Sequence, residues 1–339
     1  MTVPNGHHGG FRHEAFFYVD RDEFLAGTVP FVEDGVAAGE AVLVALPQPR
    51  RSLLQNALDR DSEQVRFIAM EEVGRNPGRI ISAWRDFLDA AGERGGSVRG
   101  IGEPIWAGRS REEIDECRRH EQLLNLAFDG GPSWSLMCPY DAAALSDEVL
   151  DAAVRSHPHC SGAHEGACGS GSGSDAVDPG ALLRGSLPPP DVDGPAMRFG
   201  KADLREVRRL VSLHADSVGL ETRRGEDLVL AVCELATNSV QHGSGGGSLW
   251  IWSGDGELCC EVRDAGAIED PLVGRERPPL DQVGGRGVWI AHQLCDLVQL
   301  RSDHRGTRVR VQMTLDGGTG GEEAAEATLD EGARTQQRH

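Results

Sequence analysis

A chain of 339 residues with 39% hydrophobic side chains is long and apolar enough for two domains with separate cores, which excludes global disorder. Its formal charge of −20, from 34 basic against 54 acidic residues, leaves no basic stripe for phosphate backbones and excludes direct nucleic-acid binding. The longest strongly apolar run, Ala41 to Leu46, is far too short to cross a bilayer, and the N-terminus MTVPNGHHGGFRHE has no basic start before an apolar core, so a cytoplasmic protein without membrane contact is expected.

From Ala15 to about His157, short β-rich runs (AFFYV, AVLVAL, VRFIAM, SVRGI, WSLMCPY) alternate with helical patterns at Gly78 to Arg94 and Arg111 to Phe128. Such alternation predicts a parallel sheet covered by helices, an α/β domain. After AVLVAL, the turn Pro47 to Ser52 stands where a P-loop would. It holds no glycine and no Gly-Lys-Ser/Thr, so no phosphate cradle is expected there. Glu103, His13, Tyr140 and Asp141 fall near strand ends and are candidates to line a crevice beyond the carboxyl ends of the sheet, where ligands of such folds bind. His120 and Glu121 lie in a helix whose Leu123, Leu124, Leu126 and Phe128 read as core, which makes His120 a structural histidine. No nucleophile, base and orienting acid assemble in this half from sequence.

Between His157 and about Pro195 the composition turns to Gly, Ser and Pro with too little apolar periodicity to pack, which predicts a flexible tether over residues 159–196. His157, His159, Cys160, His164 and Cys168 come with neither a paired C-x-x-C nor a compact fold, so no zinc site is expected from them. The eight cysteines follow no secreted-framework spacing, and several sit in apolar runs where a reduced thiol behaves as a small hydrophobe.

Beyond the tether, two long helices (about Leu204 to Val218 and Gly225 to Gln241) precede strands SLWIWS and LCCEVRD, a helix VWIAHQLCD, and strands LVQLRS and TRVRVQMTL. Helices first and then strands at hairpin-like spacing predict an α+β sandwich, helices on one mixed sheet, over residues 197–315. The acidic, Gly- and Ala-rich tail, residues 316–339, reads as disordered.

The second of those helices contains Cys233-Glu-Leu-Ala-Thr-Asn-Ser-Val-Gln-His-Gly243. On a helical wheel Asp227, Glu234, Asn238 and Gln241 share one narrow stripe, while Leu228, Ala231, Val232, Leu235 and Ser239 cover the opposite side. A solvated stripe would explain that by itself, but three downstream features join it. Asp264-Ala-Gly266 puts a carboxylate at a strand end beside a glycine that permits close approach of a ligand. Gly284 to Gly287, GGRG, open a helix and expose backbone N–H groups and a positive dipole end to an anion. Gly306-Thr307 begins the last strand with a hydroxyl at its end. Each alone is ordinary turn chemistry. Their order is specific.

The series E-x-x-x-N, D-x-G, G-x-G before a helix and G-T resembles the N, G1, G2 and G3 boxes of the GHKL (Bergerat, HATPase_c) ATPases. The spelling ELATNSVQHG resembles the RsbW-type anti-sigma-factor serine kinases, over Phe199 to Leu315. That resemblance implies a Bergerat-type sandwich, ATP and Mg²⁺ as cofactors, a STAS-type anti-anti-sigma protein as phosphoryl acceptor on serine or threonine, and an RNA polymerase sigma factor as a second partner. It leaves a homodimer open. It implies that Asn238 offers its amide oxygen to Mg²⁺, a hard cation that seeks oxygen, and that Glu234 orients or deprotonates the attacking hydroxyl. Asp264 would accept from the adenine amino group, Gly266 would let the base lie against backbone, and Thr307 would support the carboxylate through a water. Gly285 and Gly287 would belong to a lid over the phosphates, with Arg286 neutralising them. His242, just after the N box, is placed either to reach a phosphate or to cap the helix end against its negative dipole, and capping is the favoured role.

Two departures open alternatives. The usual D-x-G-x-G continues here with Ala267-Ile268, which motivates a non-catalytic ATP-binding module that sequesters a regulator. A sensor histidine kinase would need a phospho-acceptor on a helix before the ATPase domain, and His214 is the candidate.

In the first half, HEAFFYVD (13–20), GRNP (74–77), GIGEPIW (100–106), RRHEQLLNLAF (118–128), CPYD (138–141) and SHP (156–158) together resemble the MEDS sensory domain, over residues 11–158. The resemblance implies a KaiC-like α/β fold without ATPase motifs that senses an unknown small-molecule signal. Across a flexible tether, coupling between the halves would run through docking or dimerisation.

Overall fold

The computed structural model describes residues 10–93, 96–164, 166, 168, 178–278 and 285–315. Strand and helix alternate through the first half: β1 (Phe11–Tyr18), α1 (Arg21–Ala37), β2 (Ala41–Leu46), α2 (Gln48–Leu58), β3 (Val65–Ala69), α3 (Met70–Val73), α4 (Ile80–Gly92), β4 (Val98–Gly102), α5 (Arg111–Phe128), β5 (Trp134–Asp141), α6 (Asp147–Ser156) and β6 (His159–Gly162). The strands form one parallel sheet in the order β3-β2-β4-β5-β1-β6. Because side chains alternate across a strand, each apolar run feeds two cores. Ala15, Phe17, Leu43 and Ala45 pack under α4 and α5 with Trp84, Leu123 and Leu124. Phe16, Tyr18, Val42, Val44 and Leu46 pack on the other face with Phe24, Val32 and Leu54 of α1 and α2. Helix α5 starts where Ser110 and Glu113 form a reciprocal capping box, which fixes its first turn.

After α7 (Pro179–Leu183) comes the second half: β7 (Met197–Gly200), α8 (Leu204–Ser217), α9 (Thr222–His242), β8 (Gly246–Gly254), β9 (Glu257–Asp264), α10 (Gly287–Leu294), β10 (Leu297–Asp303) and β11 (Gly306–Thr314). Its five strands, in the order β10-β11-β9-β8-β7, pair antiparallel throughout. The expected mixed sheet is therefore corrected: two hairpins, β8–β9 and β10–β11, join edge to edge, and β7 adds antiparallel to β8. One face buries Leu249, Ile251, Cys260, Val262, Val309 and Val311 against α8, α9 and α10, the expected α+β sandwich.

The expectation of a flexible tether fails for its described parts. Residues 159–162 are strand β6, parallel to β1. Helix α7 staples the halves: Leu182 enters the first core and Leu183 the second, and Arg119 donates to the Leu182 carbonyl at 2.8 Å. The apolar residues there are too few to show a period, yet each finds a pocket in a different domain. Residues 165, 167 and 169–177, like the tail 316–339, lie outside the described residues. Cys160 and Cys168 form a disulfide, an exception to the expected free thiols; Cys117, Cys138, Cys233, Cys259, Cys260 and Cys295 are free, and all but Cys233 are buried. Among the described residues no helix is long and apolar enough to cross a membrane.

The two halves meet through a polar seam. Glu116 of α5 is buried and holds Arg301 at 2.6 Å and Arg275 at 3.5 Å. Asn76, from the GRNP turn, donates to the carbonyls of His292 at 3.1 Å and Cys295 at 3.4 Å. Ser82 donates to the Arg275 carbonyl at 2.8 Å, Arg85 pairs with Glu276 at 2.8 Å, and Arg75 pairs with Asp296 at 3.0 Å. The first half thus grips the second on both sides of α10.

Candidate functional site

Helix α9 begins with Glu221 accepting from the N–H groups of Arg223 and Arg224, and it runs for 21 residues. Leu228, Ala231, Val232 and Leu235 are buried against the sheet and neighbouring helices, which turns Glu234 and Asn238 toward the half-buried rim, one turn apart. Glu234 makes no hydrogen bond or ion pair among the described residues. Asn238 faces the start of α10. A Cβ on Gly287 would lie 2.5 Å from Asn238 Nδ2, so a side chain there would displace that amide. Gly285 adopts φ 75°, and Arg286 is the N-cap residue of α10.

The other predicted residues gather at the C-terminal end of α9. Asp264 ends β9 and accepts from the Ser239 hydroxyl at 2.6 Å and from the Gly266 N–H at 2.7 Å. A carboxylate has room for about four donors, so two protein donors aim it and leave capacity for a ligand amine. Gly243 closes against the same carboxylate: a Cβ there would sit 2.4 Å from Asp264 Cγ. Thr307 is the cross-strand partner of Asp264 in β11. Its hydroxyl, however, donates to the Gly266 carbonyl at 2.9 Å and lies 2.9 Å from Ser302 Oγ, while Ser302 accepts from the Ile268 N–H at 2.8 Å. Thr307 therefore shapes the Asp264–Gly266 turn directly, which differs from the expected contact with the carboxylate through water.

Sequence reading placed Ser239 on the apolar side of α9, and it is indeed buried, but its hydroxyl is the helix's bond to Asp264. A lone serine on an otherwise apolar stripe was the available signal. Gly243 and Ser302 were not singled out either. His242 ends α9 and is exposed, and His214 is tied to its own helix through Nδ1, 2.8 Å from the Leu210 carbonyl.

In the first half the expected crevice divides in two. Glu103 and Asp141 meet beyond the strand ends, bridged by Arg50 of α2, which lies 3.2 Å from Glu103 and also pairs with Asp141; Tyr18 donates to Glu103 at 3.0 Å. Burial pushes the Glu103 carboxyl up to about 7 against the pull of Arg50. His13 and Tyr140 do not join them. His13 points from early in β1 toward the α5 side, where burial lowers its imidazole to about 4. Tyr140 packs edge-on against His157. Period-2 alternation assigns faces, and these residues occupy the face opposite Tyr18. Arg50 carries no sequence signal of its own beyond its place in the turn after AVLVAL that lacks a P-loop. His120 is buried as expected, but its Nδ1 finds no hydrogen-bond partner among the described residues, unlike a satisfied structural histidine.

A parallel α/β unit docked on an antiparallel Bergerat-type sandwich defines a fusion of a sensor-like domain with an ATPase-type domain. Family comparison agrees: residues 12–158 match MEDS, the MEthanogen/methylotroph, DcmR Sensory domain, and residues 198–313 match the Histidine kinase-like ATPase domain. The chain thus joins a region that matches the MEDS domain to one that matches a histidine kinase-like ATPase domain. Among solved structures, it is similar to the RsbU and RsbW domains of Rv1364c from Mycobacterium tuberculosis, at 20% identity and a TM-score of 0.27, over 36% of this chain and 33% of that one. The chain thus spans about a third of that protein's length. Comparison with curated proteins returns no match.

Proposed function

We propose that the chain is a cytoplasmic, signal-responsive regulator: a sensory domain over residues 11–158 joined to a protein serine/threonine kinase domain over residues 197–315. Its substrate would be a small STAS-type anti-anti-sigma protein, and a sigma factor would be its second partner. The observation that carries this reading is the placement of Glu234 one turn before Asn238 on α9, with Asn238 against the α10 terminus and Asp264 bonded to the same helix through Ser239.

The donor set suits a magnesium-bound adenine nucleotide. Asn238 offers an amide oxygen to a hard cation, Asp264 offers spare acceptor capacity to an exocyclic amine, and the α10 terminus offers N–H groups and a positive dipole end to phosphate. When bound, ATP with Mg²⁺ supplies a phosphoryl group to an incoming hydroxyl. Glu234, whose side chain has no hydrogen-bond or ion-pair partner among the described residues, would receive or orient the proton of that hydroxyl. Ser239 and the Gly266 N–H fix the Asp264 carboxylate, which would accept from the base, and Thr307 with Ser302 keeps the Gly266 turn in place. Regulation would run through the seam, since Ser82, Arg85 and Glu116 hold Arg275 and Glu276 ahead of α10 while Asn76 holds its far end.

Incubation of the purified chain with Mg²⁺, ATP and its cognate STAS protein tests the reading. Phosphoserine or phosphothreonine on the STAS protein, lost in Glu234→Ala, is expected. Sequestration of the partner without any phosphate transfer, unchanged in Glu234→Ala, would favour the second reading, a binding module with the nucleotide as structural ligand, which the Ala267 departure motivates. Acid-labile phosphate on His214 would instead mark a histidine kinase.

A further inference from the structure

One cluster of metal-ligand side chains stands out among the described residues, and it lies wholly inside the first domain. His13 comes from β1, Glu121 from α5, Cys138 from β5 and His157 from the end of α6; all four are buried, and their ligand atoms lie within 4.8 Å of one another. His13 Nε2 and His157 Nε2 stand 3.1 Å and 3.3 Å from the same Glu121 oxygen. Cys138 Sγ lies 3.4 Å from His13 Nε2 and 3.7 Å from that oxygen.

The surrounding hydrogen bonds fix which ring nitrogens face inward. Asn125 Nδ2 donates to the Ser156 carbonyl at 2.7 Å, which turns Asn125 Oδ1 toward His13 Nδ1 at 3.0 Å. His13 therefore carries a proton on Nδ1. His157 Nδ1 faces the Ala153 carbonyl at 2.8 Å and must donate as well. With both Nδ1 atoms turned outward, the two Nε2 atoms converge on one carboxylate oxygen, and in a buried space such a set is held together by a proton or by a metal ion among them. Outer hydrogen bonds of this kind, from Nδ1 to an amide oxygen or a backbone carbonyl, are how metal-ligating histidines are oriented.

The spacing points the same way. Tetrahedral zinc, with Zn–N and Zn–O of about 2.0–2.2 Å and Zn–S of about 2.3 Å, sets its ligand atoms about 3.3–3.6 Å apart. Four of the six separations here run from 3.1 to 3.7 Å, and the other two stay within 4.8 Å. We propose that His13, Glu121, Cys138 and His157 form a closed, four-ligand site for a borderline divalent transition-metal ion, with Zn²⁺ the ion that a set of two imidazoles, one carboxylate and one thiolate suits. The site ties α5 to β1, β5 and the end of α6, and the same helix carries Glu116, which holds Arg301 and Arg275 across the seam. It does not depend on the nucleotide reading.

Elemental analysis of the full chain, stripped with chelator and reloaded with Zn²⁺, is expected to find roughly one equivalent retained after desalting. Reloading with Co²⁺ should give tetrahedral d–d absorption and a thiolate-to-cobalt charge-transfer band. Cys138→Ser should remove that band, and Glu121→Gln, which nearly keeps the side-chain shape, should weaken retention at least about tenfold. The double variant Cys160→Ser/Cys168→Ser should leave both signals intact, which separates this site from the neighbouring cysteine pair. Metal content at background after reloading overturns the proposal, as does a cobalt spectrum that Cys138→Ser does not alter or that the double variant abolishes.

Discussion

The seam between the domains and the rim of α9 both collect polar side chains, and they are built in opposite ways. At the seam Glu116, Arg275 and Arg301 are enclosed and answer one another. At the rim Glu234, Asn238 and Asp264 are half-buried, and the protein supplies only part of what they can bind. An enclosed charge has to be paired by the protein itself because water does not reach it, whereas a half-open acceptor keeps capacity for a ligand. Substitutions should therefore report on stability at the first place and on binding at the second.

The largest expected effect breaks the enclosed side. Glu116→Ala leaves Arg275 and Arg301 buried without their carboxylate and should cost about 3–5 kcal/mol in urea unfolding of the full chain. Glu234→Ala at the rim should stay within about 0.5 kcal/mol. Equal effects of the two would erase the distinction.

Acidity sharpens it next. Burial pushes the Glu103 carboxyl from 4.5 up to about 7, so the folded chain holds an extra proton between those values. Its contribution is full below about 4.5 and is lost as pH rises toward 7, a fall of up to about 3 kcal/mol. Chemical unfolding followed across that window should show this decline in the wild type and a flatter profile in Glu103→Gln. A wild-type profile that climbs there while Glu103→Gln matches it would contradict an enclosed, unfavourably ionised Glu103.

The smallest of the three acts on the rim. Gly287→Ala places a methyl 2.5 Å from Asn238 Nδ2, so the amide must move aside. Nucleotide affinity should fall about tenfold, or ~1.4 kcal/mol. Stability should hold or rise slightly, because alanine is the better helix residue. Wild-type affinity in that variant would mean the Asn238 amide plays no part in binding.

Much of this was legible beforehand because it is local. Helix α5 was expected at Arg111 to Phe128 and is found there, its start marked by the Ser110–Glu113 box. Helix α9 was read as Gly225 to Gln241 and extends one turn earlier, since Glu221 caps it by a side chain that apolar periodicity does not register. The glycine and acid signals along 234–307 stand out by their order in the sequence, and the structure puts Asn238 beside Gly287 and Asp264 opposite Thr307 in register. What escaped was non-local. Strand β6 has four residues and little apolar content, and only its parallel partner β1, far back in the chain, makes it a strand. His13, Glu121, Cys138 and His157 are separated by up to 144 positions, and singly they read as crevice lining, core or tether. The seam is made of polar residues that look solvated until the other domain covers them. Periodicity tells which face a residue occupies, not what will press against it.

The central claim is a nucleotide site between α9, the α10 terminus and the end of β9. Titration of a fluorescent ATP analogue, with and without Mg²⁺, into the wild type and Asn238→Ala tests it most directly. Saturable binding that Mg²⁺ tightens at least about tenfold in the wild type, with that tightening gone in Asn238→Ala, is the predicted result. No saturable binding by the wild type, or the same response to Mg²⁺ in both proteins, would contradict the account.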